Sequence, residues 1–217
     1  AVHILPVRSA VSPPDERSQP VPVPVPAMNA LRLCVLALSL VAAALAHPQN
    51  SPYQHQQATL AAVCELKAAT GSTVSGQVQL LQSSPGAPVR VSGLIHGLAP
   101  GEHGFHLHQD GDLGNDCKAA GPHFNPTKVR HASPNDASQH AGDFGNIVAG
   151  DQGVATVEFE TLQVSLEPNA VTGALGRAFV VHALPDDLGR GNTEESTKTG
   201  SAGARVACCI VTQAYSH

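Results

Sequence analysis

Residues 154–160 read VATVEFE. Side chains in a strand alternate between faces. Val154, Thr156, Glu158 and Glu160 therefore share one face, and Ala155, Val157 and Phe159 the other. One charged face against one apolar face is the pattern of a half-buried antiparallel strand. Other β-rich or alternating runs occur at 58–66, 74–82, 88–95, 102–108, 143–148 and 205–213, with a compact apolar run at 177–183. Gly, Pro, Asn and Asp fill the gaps, and no window carries a long amphipathic helical stripe. Eight short strands with few aromatics predict an all-β sandwich or flattened barrel. Two connections, about 109–142 and 184–204, are too long for hairpin turns. Loops of that length without their own secondary structure are usually functional.

The ends of the chain read differently. The single Met is Met28, so residues 1–27, with PVPVPVP at 20–26, read as upstream nucleotides translated in frame or as a Pro-rich extension. From Met28 the pattern is that of a secretory signal. Arg32 gives the positive start, residues 33–46 the apolar stretch, and Ala44-Leu45-Ala46 a small-residue cleavage site. That stretch is shorter than the roughly 17–25 residues that span a bilayer. The expectation is a signal peptide at 28–46, no membrane anchor, a flexible polar leader at 47–57 and one domain at 58–217.

Without residues 1–46 the chain carries 9 Lys and Arg against 15 Asp and Glu. With no basic run, this argues against nucleic-acid or membrane-headgroup binding. Four cysteines remain: Cys64, Cys117, Cys208 and Cys209. An even count in a secreted chain suggests disulfides, and three pairings are open. The spacings include no C-x-x-C, so a zinc ribbon or thioredoxin-like site is not expected.

Seven of the 12 histidines, His96, His103, His106, His108, His123, His131 and His140, fall within 45 residues. His106 and His108 in GFHLHQDGD (104–112) share one strand face. His123 follows in GPHFNP (121–126), and His140 precedes Asp143 by three residues. His182 ends the run FVVH and is followed by Asp186 and Asp187. Any one of these would be read as a surface or core histidine; together, at strand ends and in one long loop, they suit copper or zinc.

The stretch GFHLHQDGDLGNDCKAAGPHFNP, then His131, HAGDFGN, GRAFVVH and DDLGRGNTEESTKTGSAGARVAC, closely resembles copper–zinc superoxide dismutase over about residues 58–214. The resemblance implies an eight-stranded Greek-key β-sandwich of immunoglobulin-like type with two functional loops. It implies copper on His106, His108, His123 and His182, and zinc on His123, His131, His140 and Asp143. His123 would bridge the metals through both ring nitrogens, and Asp186 would link a copper histidine to a zinc histidine. Zinc would be structural and copper the catalyst of a two-step dismutation of superoxide to oxygen and hydrogen peroxide, outside the cell. Arg205 would dock the anion, with Lys198, Glu194 and Glu195 shaping the field on its path.

The resemblance further implies a Cys117–Cys208 disulfide, and Cys64 matches a cysteine that is free in relatives. Cys209 departs from the family's usual glycine, and a second bridge to Cys64 is the corresponding expectation. Asp110 stands where many relatives carry an aromatic near their dimer contact, so the family's usual homodimer is left open, with an altered interface if it forms. A metal-storage module would have no need of Arg205. A metallochaperone would carry a C-x-x-C domain, and an adhesion sandwich would not need this ligand set.

Overall fold

The computed structural model describes residues 59–214. The expected signal and leader segments, and residues 1–27, lie outside them. The strands are β1 (Leu60–Ala68), β2 (Ser75–Gln82), β3 (Val89–His96), β4 (Gly101–His108), β5 (Asp143–Ala149), β6 (Val154–Thr161), β7 (Ala178–His182), β8 (Arg205–Ile210) and β9 (Thr212–Gln213). Neighbours run β2-β3-β6-β5-β4-β7-β8-β1-β9, and β1 also pairs with β2, closing an eight-stranded antiparallel barrel with one short added strand. The steps from β3 to β6 and from β4 to β7 are the Greek-key crossovers. Among the described residues no helix is long and apolar enough to cross a membrane.

The alternation read in VATVEFE sets the inside of the barrel: Ala155 and Val157 are buried, while Thr156, Glu158 and Glu160 are exposed. Val78, Leu80, Val89, Val91, Phe105, Leu107, Phe179 and Val181 supply much of the remaining core. Phe105 and Phe179 stack with ring centroids 4.8 Å apart, pairing β4 with β7 at the centre. β5 and β6 pair only at Ala149–Ala155 and then splay, with Phe144 and Phe159 packed 5.0 Å apart across the cleft.

The expected strand at 205–213 is two strands. Val211 leaves the ladder because its N–H donates to Arg177 O and its carbonyl accepts from Gly176 N–H. β1 consequently pairs with β8 at Lys67 and Ala68, and with β9 at Ala62 and Val63.

The cysteines form two disulfides, Cys64–Cys209 and Cys117–Cys208. Successive residues of β8 point to opposite faces. Cys209 lies in the barrel core, whereas Cys208 packs outside with Cys117, Ala120, Ala178 and Val180. One strand is thus tied inward to β1 and outward to the first long loop.

Candidate metal centre

β4 is buried on both faces. Phe105 and Leu107 point into the barrel, while His106 and His108 point out of it and are still 0% and 1% exposed. The long loops make that second face an interior. Residues 122–124 run beside the end of β4: Gln109 N–H donates to Pro122 O, and Phe124 N–H to Leu107 O at 2.8 Å. An isolated bridge sets His123 opposite His108. Gly142 completes the seam, and a Cβ there would lie 2.1 Å from Leu107 O, so only glycine fits. Register shifts fall beside His106 in β4 and beside His182 where β7 meets β8. Bulges of this kind re-aim side chains next to sites.

Two four-residue groups result: His106, His108, His123 and His182, and His123, His131, His140 and Asp143. Within each group the donor atoms lie within 4.8 Å of one another, and all seven residues are buried. These are the two sets implied at the sequence level, and His123 is common to both.

The hydrogen bonds decide which nitrogen of each ring faces the centre. His106 Nε2 donates to Asp186 Oδ2 and His131 Nε2 to Asp186 Oδ1, both at 2.8 Å. His108 Nδ1 donates to Gly121 O at 2.8 Å, His182 Nδ1 to Gly203 O at 3.3 Å and His140 Nε2 to Val129 O at 3.1 Å. Each ring therefore has one nitrogen tied outward and one left facing in. His123 is the exception: Nδ1 lies 2.8 Å from Asp143 Oδ1 and Nε2 has no outward partner. Among the described residues, the buried side-chain polar atoms that make no well-formed hydrogen bond are His106 Nδ1, His123 Nε2 and His131 Nδ1, the last lying 2.9 Å from Asp143 Oδ1. All three face the centre. Orphaned buried nitrogens are costly unless something coordinates them. Four nitrogens suit copper, and three nitrogens with one carboxylate suit a closed zinc site, so the residues fit both ions.

The protonation states divide the centre. Burial pushes His106 and His108 well below the usual imidazole range, with neighbouring His123 adding to the effect. Burial, His123 and Arg205 bring His182 down to about 3, although the carbonyl of Gly203 opposes them. Burial also lowers His131, but the carboxylates of Asp143 and Asp186 outweigh it and push that ring up to about 9. Burial would raise Asp143, yet the close ring nitrogens of His123, His131 and His140 hold it far below the usual carboxylate range.

Arg205 opens β8 opposite His182 in register. Its guanidinium donates from Nη1 to Cys117 O and from Nη2 to Gly121 O, each at 2.7 Å. Gly121 O also accepts from His108, so one carbonyl connects the arginine with the four-histidine group. Lys198 and Glu194 line a hollow of about 540 Å³ above His123 and His140, and form an exposed ion pair at 2.6 Å. Glu195 instead accepts from Thr199 Oγ1.

Several residues of the site carry no sequence signal of their own. Asn146 clamps Asp186 through both backbone groups, donating to its carbonyl at 2.9 Å and accepting from its N–H at 2.7 Å. A Cβ on Gly200 would lie 1.8 Å from Asp186 Oδ1, so the glycine leaves room for the carboxylate bridge. His103 joins neither group. Its Nδ1 lies 2.8 Å from His182 O and its Nε2 2.9 Å from Ala99 O, which fastens the end of β7 to the β3–β4 turn. His96 is exposed at the end of β3.

The chain is similar to known proteins. Residues 74–211 match the family described as copper/zinc superoxide dismutase. A superoxide dismutase [Cu-Zn] of Onchocerca volvulus is 49% identical over 145 residues, covering 65% of this chain and 90% of that protein. The fold, the paired donor sets and these matches place the chain in the copper/zinc superoxide dismutase family.

Proposed function

We propose that His106, His108, His123 and His182 hold the copper of this superoxide dismutase, and His123, His131, His140 and Asp143 its zinc. The observation that carries the assignment is His123, whose two ring nitrogens both face inward while every other ligand ring is anchored outward by one nitrogen. Asp186 sets the tautomers of His106 and His131 at once, and Asn146 holds Asp186 in place.

Two superoxide anions and two protons become one oxygen and one hydrogen peroxide. Bound copper supplies the one-electron couple for both halves of that exchange. His123 Nε2 would hold a proton in one half-cycle and deliver it to the departing peroxide in the other, with water supplying the second proton. Arg205 binds the incoming anion with the guanidinium edge not spent on Cys117 and Gly121. Lys198 draws the anion in, while Glu194 and Glu195 narrow its approach. A focused local field of this kind offsets the chain's net charge of −5.

Secretion after cleavage of residues 28–46, with a leader at 47–57 and the catalytic domain at 58–217, completes the proposal. Two disulfides are compatible with an oxidising compartment. The chain forms a homodimer with an altered contact. Asp110, in the neighbourhood that the family resemblance assigns to the dimer contact, is exposed, and its N–H is held by Ala120 O. A carboxylate in an apolar contact is costly unless paired, so sedimentation should find a weak dimer that dissociates on dilution.

Metal analysis of the purified protein with a superoxide-consumption assay tests the central reading. About one copper and one zinc per chain with activity supports it. Zinc alone, or copper without activity, replaces it with a binding protein.

A further inference from the structure

Asn115, Asp116 and Cys117 are three consecutive non-glycine residues with left-handed φ angles of 50°, 52° and 65°. L-residues resist this region, and Asn and Asp visit it mostly as single residues. Three in a row persist only where the surroundings hold them. Besides the turn's own backbone hydrogen bonds, two pins tie it to distant parts of the fold. The Cys117–Cys208 disulfide anchors the end of the turn to β8. Asp116 Oδ1 accepts the backbone N–H of Thr70 at 3.0 Å, across to the β1–β2 turn.

That turn is itself bonded to β8, because Ala69 N–H donates to Val206 O at 3.0 Å. Val206 directly follows Arg205. The contacts thus form a closed circuit from Arg205 through Val206, Ala69, Thr70 and Asp116 to Cys117, whose carbonyl returns to the Arg205 guanidinium. Among the described residues Arg205 makes no ion pair, so backbone carbonyls alone aim it.

We propose that Asp116, by gripping Thr70, is a positioning residue for Arg205. It keeps the strained turn in the alignment that presents Cys117 O to the guanidinium. The inference rests on reading Arg205 as the anion dock. Asp116 does not touch the anion; it acts by fixing where the arginine points. The sequence signal is an Asp at the one position of the turn where a left-handed backbone and a side-chain acceptor are both needed.

The test uses the metal-loaded protein and azide as the anion probe, titrated through the copper absorption band. The variants are D116N, D116G and R205A, and amide hydrogen exchange at Thr70 gives a second readout. Glycine keeps the left-handed backbone but removes the tether, whereas Asn keeps the acceptor and removes the charge. D116G is expected to weaken azide about 2- to 10-fold, the weight of one hydrogen bond. It should also lose protection at the Thr70 amide, while D116N stays near wild type. Unchanged azide affinity in D116G, with R205A clearly weakened, overturns the proposal and leaves the arginine reading intact. Equal weakening in D116N and D116G also overturns it, by assigning the effect to charge. Unchanged affinity in R205A removes the anion-dock reading itself, and this inference with it.

Discussion

The two halves of the metal centre are built from different material. His106, His108 and His182 stand on β4 and β7, strands stacked through Phe105 and Phe179 in the barrel core. His131 and His140 come from the long connection after β4, and Asp143 begins β5. The first half inherits its geometry from a hydrogen-bonded ladder. The second is held by its own carboxylates and by Asp186. A site on rigid strands is preorganised whether or not a metal is present, whereas one closed by a loop depends more on its ligand. Asp186 joins the halves, and His123 belongs to both.

Arg205→Glu tests the strand side with the largest expected effect. Superoxide consumption should fall by about 10–10³-fold at low salt, with copper and zinc content intact. Full activity under those conditions would remove the steering argument. Asp186→Asn tests the loop side. Zinc affinity should fall by about 10–100-fold, and copper affinity less, as measured by competitive chelation. Gly200→Ala should act in the same direction, because its Cβ would displace the bridging carboxylate. Equal losses of both metals would show that the halves do not differ in rigidity.

A third comparison isolates the barrel from the metals. The Cys64–Cys209 disulfide closes 145 residues of chain. Replacing both cysteines by serine should cost up to about 5 kcal/mol by the chain-entropy relation. The loss should appear in denaturant midpoints of the metal-free protein while zinc affinity changes little.

The smallest effect is a pH signature of the metal-free protein. His182 is depressed to about 3. Its contribution to stability is therefore present above the unfolded value near 6.5 and declines as pH falls toward 3. His131 is raised to about 9. Its contribution is complete below 6.5 and is lost as pH rises through 9. The strand half should weaken in acid and the loop half in alkali, with Asp143 adding to the acid loss only below the usual carboxylate range. Zinc uptake near neutral pH should also release the proton held at His131. Melting temperatures between pH 4 and 10 would show a single-sided decline if the halves titrate alike.

Much of this arrangement is local and can be read in one dimension. The period of two in VATVEFE assigns Ala155 and Val157 to the core, and the same period sets His106 and His108 on one face. The four-histidine set, the zinc set and Asp186 come from motif resemblance, and the structure brings those residues together. The break at Val211 was not legible, because 205–213 alternates well enough for one strand. Only the competing hydrogen bonds from Gly176 and Arg177 divert it.

Sequence alone determined the strand inventory (except for the break at Val211), the two long loops and the kinds of ligand, since these depend on alternation and on residue chemistry. It left three cysteine pairings open by spacing, and no pattern marked Asn146 or Gly200 as parts of the site. Tertiary structure decided those points. It put Cys209 in the core opposite Cys64, turned one nitrogen of every other ligand ring outward, and left both nitrogens of His123 facing in. The reason is physical: alternation is a property of one strand, but a partner for a buried sulfur or nitrogen exists only after distant segments have packed against each other.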